Sequence, residues 1–366
     1  MKNKKNIMDQ LFHERNSSEN TQKVYTRAIR LYEKHTQKDI KTLIDTADTE
    51  EYNNIRWKNT STRKHLITYR NHLYNTYNIS TAQLYLSAVI TTYRHFEITI
   101  PPLPYYNTQN AKRTPPINYN DLLDKDILRE AVQISSLLVK SIILFLSSSG
   151  MSRIDAINLT IQDWLDATKE YHNYNETGNI KYSIKSMRGQ DNIIPVFTGL
   201  VRQKTGEEYF TFCSHEATKS INEYLLTRTE TLTTHQPLFK THERYFNMAF
   251  ERLNNHFQLG KVGNYNRLRP HMLRKYHATQ LATAGVPTEH IDILQGRKTR
   301  GIANEYYIKI KPETILEEYI RALPFLVVDD AVQYRSELER VKDENSMLRE
   351  NIHDIINRLD SLERDS

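Results

Sequence analysis

His271 and Arg274 stand three residues apart and open a stretch, running to Tyr307, that holds much of the reactive chemistry of this chain. Residues at i and i+3 are neighbours on a helix, so the imidazole and the guanidinium share one face. A second cationic pair, Arg297 and Lys298, follows Gly296, and two adjacent phenols, Tyr306 and Tyr307, close the stretch. A bidentate guanidinium, an imidazole that titrates near neutrality and a phenol form a kit suited to a phosphodiester. Two further cations stand at turns: Arg153 beyond the Ser/Gly run 147–150, with Asp155 two residues on, and Lys204 in a Lys-Thr-Gly turn. No metal-ligand cluster, phosphate-cradling glycine loop or serine elbow competes with them. Taken singly, a His-x-x-Arg pair or a turn lysine is an ordinary surface feature; their joint occurrence carries the weight.

The elements that position these residues are mostly helical. Residues 17–100 predict a helical unit: Val24, Ala28 and Leu31, with Tyr25, Ile29 and Tyr32, recur at helical spacing behind the SSEN cap region. A second pattern runs through Leu66, Tyr69, Leu73 and Tyr77 behind Ser61 and Thr62. Ser80 with Gln83 reads as a capping box that opens a third helix. Lysines and arginines sit between these apolar stripes, among them Arg30, Arg56, Lys58 and Arg70. Lys23, Arg27, Arg63 and Lys64 are the candidates to grip DNA phosphates. Residues 101–120 form a Pro-rich linker, in which Lys112 and Arg113 could touch the backbone of a duplex. Residues 121–327 predict a larger unit with helices over 121–133 and 136–148, strand character over 178–213, and helix again over 217–228. The turn at residues 204–206 places Lys204 at a hairpin tip. The fold class is therefore mainly α with a small antiparallel β-sheet.

Composition narrows the function classes. The 366 residues have room for two or three domains, and 50 basic against 44 acidic residues give +6. Residues 1–120 carry 18 basic against 10 acidic side chains, a balance of +8, whereas 331–366 carry 6 against 9, a balance of −3. A basic body with a mildly acidic tail suits contact with a polyanion by the body alone. One cysteine, Cys213, excludes an internal disulfide framework and suggests a reducing cytoplasm. A mean hydropathy of −0.67 and the lack of a long apolar run exclude a membrane span, and the basic N-terminus has too short an apolar stretch for a secretory signal. In the tail, 328–366, Ala331, Leu338, Asn345, Ile352 and Leu359 recur every seven residues, and Tyr334, Val341, Leu348, Ile355 and Leu362 fill the second seam position. Such heptads predict a coiled-coil helix about 46 Å long that pairs two copies, with the polar Asn345 fixing register.

In order, SSSGMSRIDAINLTIQDW, VRQKTGEEYFTFCSHEATKSINEYL, HMLRKYHATQL and LQGRKTRGIANEYYIKIKPETI resemble the four motifs of the tyrosine recombinases, the phage-integrase and Xer family. The resemblance covers nearly all of 121–325, and the helical front, 1–100, resembles that family's core-binding domain. It implies a site-specific DNA recombinase that cuts and rejoins strands through a 3′-phosphotyrosyl intermediate. Arg153, Lys204, His271, Arg274, Arg297 and Tyr307 then stand at the catalytic positions, and no metal or other cofactor is implied. Double-stranded DNA would be the partner, and the protein would act as a dimer through 331–362 and a tetramer at synapsis. His277 and His290 are expected to pack or cap, and Cys213 to serve as a small buried apolar group.

The chain departs from the family pattern at three points. Arg297 replaces the usual His or Trp after the glycine of the last motif, as in some archaeal integrases. The acid expected three residues after the first arginine is Ala156, with Asp155 beside it. Counting from Gly296 favours Tyr306 as the nucleophile by the bacterial pattern; the match at YIKIKPETI and the Arg-type motif favour Tyr307, which is taken here. The added tail and Arg297 favour a mobile-element integrase over an Xer-type resolvase. Two further functions fit the same residues: a catalytically silent DNA-binding protein of the same fold, and a type IB topoisomerase.

Overall fold

The computed structural model describes residues 2–109, 111–113, 115–297 and 311–329; Lys298, Tyr306, Tyr307 and the heptad tail lie outside the described residues. The chain divides into two compact units, Met1–Pro116 and Ile117–Ser366.

The first unit is helical: α1 (Lys2–Glu14), α2 (Glu19–Thr36), α3 (Ile40–Tyr52), α4 (Ser61–Thr76) and α5 (Ile79–His95). Short polar side chains start four of these helices by accepting a first-turn N–H: Ser18 from Thr21, Asp39 from Thr42, Thr60 from Arg63 and Asn78 from Thr81. Asn78, not the predicted Ser80–Gln83 box, opens α5. Asparagine caps as well as serine, and the exposed N–H of Ile79 finds Lys112 O at 3.0 Å. The core is rich in tyrosine, and its phenols are satisfied internally: Tyr32 and Tyr93 meet at 3.1 Å, and Tyr69 donates to Ala28 O at 3.1 Å.

Lys23, Arg27, Lys64, Lys112 and Arg113 are exposed and Arg63 is half-buried. Arg70, one of the arginines set between the apolar stripes, is buried. Its guanidinium donates to Pro104 O at 2.5 Å and lies over the Tyr106 ring, which stacks on Tyr74 at 4.9 Å. The first part of the proline-rich stretch therefore packs on the first unit through a long apolar stem and a planar charge.

The second unit builds on α7 (Leu137–Ser149), buried from Ser141 onward and flanked by α6 (Lys125–Ile134), α12 (His215–Thr227) and α14 (Pro270–Thr283). Small residues let α12 approach: Ser141 Oγ meets Ser220 Oγ and O, each at 2.9 Å. The predicted turn at 147–149 is the last turn of α7, and the chain reverses at Gly150. Beyond it come α8 (Arg153–Asn158), α9 (Ile161–Ala167) and α10 (Tyr174–Thr177).

Residues 180–186, predicted as strand, form α11 (Ile180–Ser186). The alternation IKYSIKS fits either period, and the cap decides: Asn179 accepts from Tyr182 N, and Ile180, Ser183 and Ile184 bury one helical face. The remaining strand prediction holds as an antiparallel hairpin of β1 (Val196–Val201) and β2 (Glu208–Phe212), with a register shift between Phe197 and Leu200. A shorter hairpin, β3 (Lys261–Val262) with β4 (Tyr265–Asn266), follows α13 (Glu243–His256).

A second apolar cluster joins β2, the end of α14, α15 (Thr288–Leu294) and α16 (Pro312–Leu326). Here Tyr319 donates to Ser148 O at 2.8 Å, tying α16 to the end of α7. The described residues are thus mainly helical with small antiparallel hairpins, and no described helix is long and apolar enough to cross a membrane.

Candidate active site

Three chain segments meet at Arg274. Its guanidinium donates to Gly150 O at 2.7 Å, at the end of α7, and to Gln295 O, just past α15. Gln295 reciprocates by donating Nε2 to Arg274 O at 2.9 Å, and the same amide lies 3.0 Å from Nδ1 of His277, which must be an unprotonated nitrogen to accept it. Burial first, then Arg274 and Arg297, push the His277 imidazole down to about 3, so it is neutral at physiological pH.

Two glycines make this closeness feasible. Gly150 has φ +62°, and a Cβ there would overlap His277 Nδ1; Gly296 has φ +58°, and a Cβ there would lie 2.8 Å from the Tyr209 ring. Gly296 also closes α15 in a Schellman turn, its N–H on Ile293 O at 2.9 Å and that of Arg297 on Asp292 O at 2.8 Å. His277 is thus the packing residue expected, and its ring holds two of the reactive segments in register. His290 likewise serves packing, its Nδ1 2.6 Å from Glu318 on α16, and burial pushes the Cys213 thiol up to about 12.

The hairpin is latched to the same place. The Arg202 backbone bridges the turn by donating to Glu207 O and accepting from Gly206 N, both at 2.8 Å, while its Nη1 donates to Gly296 O at 2.8 Å. Gln203 N donates to Asp155 Oδ1 at 3.2 Å, and the other oxygen of that buried carboxylate accepts Ser152 Oγ at 2.6 Å. Asp155, offered by the sequence as a displaced family acid, therefore couples the start of α8 to the hairpin turn. Lys204, two residues beyond Arg202, is exposed at the tip as predicted.

The electrostatics are dominated by unbalanced positive charge. Arg274 is depressed to about 10, by burial first and then by Arg202 and Arg297. His271, exposed in the first turn of α14, has its imidazole pushed below the ordinary range by desolvation and by Lys275, Arg269, Arg274 and Arg297. Arg297 makes an ion pair with Asp292 at 3.3 Å.

Of the six predicted residues, the fold gathers His271, Arg274 and Arg297, with Lys204 on the hairpin latched beside them. Arg153 starts α8 behind the Ser152 cap but turns to α13, where its fork donates to Asn247 Oδ1 and Glu243 Oε1, each at 2.5 Å. Tyr307 and Tyr306 lie outside the described residues. Sequence reasoning missed Gln295, Arg202 and the Glu243–Asn247 pair, whose partners are remote in sequence.

A model of the phage integrase family matches residues 118–313, more than half of the chain. A Tn1549 transposon integrase fragment, solved in complex with circular intermediate DNA, is similar in fold: TM-score 0.50 at 12% identity, covering 86% of this chain and 98% of that one. A lambda integrase dimer bound to a COC′ core site matches at TM-score 0.48 and 12% identity, over 85% and 99% of the two chains. XerA recombinase matches at 0.34 and 16%, over 87% and 97%. No curated protein matches the sequence. Since the family model spans most of the unit that carries the arginine clasp, the chain belongs to the phage integrase family, recombinases that break and rejoin DNA at specific sites.

Proposed function

We propose that this recombinase is a mobile-element integrase in which the Tyr307 phenol is the nucleophile. Its oxygen attacks a scissile phosphorus, a 3′-phosphotyrosyl bond forms and the bond to the 5′-oxygen breaks. The phosphoester is conserved in the exchange, so rejoining needs neither ATP nor water. His271 takes the phenolic proton, for which a neutral imidazole is required. Lys204, on a hairpin tip that can reach toward bound DNA, gives a proton to the departing 5′-oxygen. Arg153 and Arg274, with Arg297, meet the phosphate oxygens, where preorganised donors supply the largest share of stabilisation.

The observation that carries this reading is the clasp of Arg274 on Gly150 and Gln295, which convenes three of the four sequence motifs around one guanidinium. The Arg297 side chain favours the archaeal type of integrase. With the heptad tail, it also favours integration and excision of a mobile element over dimer resolution. Lys23, Arg27, Arg63, Lys64, Lys112 and Arg113 are assigned to duplex phosphates, the tail to a dimer and two dimers to the synaptic tetramer.

A duplex nicked beside the cut site tests the chemistry. Wild-type protein traps a covalent adduct, Tyr307→Phe traps none, and Tyr306→Phe retains trapping. Loss of the adduct in Tyr306→Phe alone moves the nucleophile by one residue. Absence of any adduct with wild type leaves a silent DNA-binding protein, and relaxation of arbitrary supercoiled DNA without exchange between defined sites identifies a topoisomerase.

A further inference from the structure

We propose that Arg202 is a positioning residue: its side chain bolts the Lys204 hairpin to the Gly296 turn and so sets where the lysine ammonium can reach. The inference rests on the reading of Lys204 as the acid that protonates the departing 5′-oxygen, and deepens it by naming what aims that acid.

A lysine at a hairpin tip is poorly placed for proton transfer unless something fixes the base of the turn. Its ammonium rides on a flexible four-carbon stem, and residues 203–206 around it are all exposed. Arg202, just before them, is half-buried. Its backbone closes the turn, and its Nη1 donates to Gly296 O at 2.8 Å, 94 positions away. The opposite strand grips the same glycine. Tyr209 on β2, paired with Leu200 on β1, is buried, and a Cβ on Gly296 would lie 2.8 Å from its ring. A third tie runs from Gln203 N to Asp155 Oδ1 at 3.2 Å, in the first turn of α8.

Of these ties, the Arg202 bond alone can be removed without altering the glycine, the carboxylate or the strand pairing. Gly296 immediately precedes Arg297, which is assigned to a phosphate oxygen, so this bond fixes the acid to the frame that holds the phosphate. Misplacement of a reacting group by about 1 Å can cost about 10²-fold in rate. The phosphate oxygens remain the task of Arg153, Arg274 and Arg297; Arg202 acts through Lys204.

The test compares two scissile linkages in single-turnover adduct formation by the full chain. On the ordinary nicked duplex the bond from the tyrosyl oxygen to phosphorus forms, the bond from phosphorus to O5′ breaks, and O5′ takes a proton from Lys204. With sulfur in place of O5′, the phosphorus–sulfur bond breaks and a thiolate departs unprotonated, because a thiol is far more acidic than an alcohol.

On the ordinary duplex, Arg202→Ala is expected to be about 10–10²-fold slower than wild type, and Lys204→Ala about 10²–10⁴-fold slower, as for loss of a general acid. Arg202→Lys, which keeps a donor for Gly296 O, recovers part of the rate. On the sulfur-bridged duplex all three variants are expected within about fivefold of wild type, a result that also shows them folded. An Arg202→Ala defect that sulfur leaves uncorrected, while it corrects Lys204→Ala, shows that Arg202 acts on the phosphate or only braces the fold, and overturns the proposal. So does an undiminished Arg202→Ala on the ordinary duplex. A Lys204→Ala defect that sulfur does not correct removes Lys204 as the acid, and the proposal falls with it. Failure of wild type to form an adduct on either duplex is a separate result: it refutes strand transfer itself and takes the proposal with it.

Discussion

At His271, desolvation and neighbouring cations favour the unprotonated imidazole that the proposed base requires. Desolvation and four nearby cations hold its imidazole below the usual value near 6.5. A base works in its unprotonated form, so a depressed imidazole remains competent at pH values where an ordinary histidine has become imidazolium. Adduct formation should therefore hold level as pH falls from 7.5 through 6.5 and decline only below that, and His271→Gln should lower the rate about 10²–10⁴-fold and abolish the acid limb. Single-turnover trapping across this pH range checks it, and an acid limb centred at or above 6.5 sinks the assignment. The spacing of His271 and Arg274 on one helix was legible in the sequence because it is a matter of 3.6 residues per turn. Their unlike environments, one exposed and one buried in carbonyls, were not, since Arg274 finds Gly150 across 124 positions and Gln295 across 21. The contact Arg153 makes was hidden for the same reason: its partner Glu243 lies 90 positions away on α13.

The contact of α7 with α14 sets the separation between the first arginine motif and the His-x-x-Arg helix, and at Gly150 it is tight enough that a Cβ would overlap His277. Gly150 and Gly178 share a left-handed φ, +62° and +61°, but only Gly150 has an atom where a Cβ would go. Gly178→Ala should cost about 1 kcal/mol for backbone strain alone. Gly150→Ala should cost about 1–3 kcal/mol more, because the imidazole of His277 must move and it is held by Gln295. Denaturant unfolding followed by fluorescence of the buried Trp164, in a Trp57→Phe background, isolates the second unit. Equal costs for the two substitutions would refute the close-packed clasp. Elements with local determinants were readable in the sequence: the Lys204 hairpin from its Lys-Thr-Gly turn, α2 from its serine cap, α7 from its helical pattern over 136–148. Residues 180–186 were not, because seven residues satisfy both periods and only the Asn179 side chain breaks the tie. The burial of Arg70 was not readable either, since nothing local says that Pro104 and Tyr106 fold back over it.

Charge and periodicity divide the sequence into a basic front and a mildly acidic, heptad-patterned tail. The front 120 residues carry +8 and the last 36 carry −3, a balance that suits the proposed phosphate contacts to the body and the proposed pairing to the tail. Recombination between two sites needs several copies in one complex, and association of single subunits makes its rate depend steeply on concentration. A zipper over 331–362 would present the protein to each site as a dimer, halving the order of that dependence. In such a zipper Asn345, the polar residue among apolar seam positions, would select register at a cost in stability. Sedimentation should therefore find the full chain dimeric and a chain ending at residue 329 monomeric. The shortened form should still form adducts on single sites while losing paired-site exchange first at low protein concentration. Asn345→Leu should raise thermal stability and admit higher oligomers, the opposite of what a helix folded onto its own body would do. A truncated chain that sediments as the same oligomer assigns the seam to an intramolecular role and leaves assembly to the DNA-bound body.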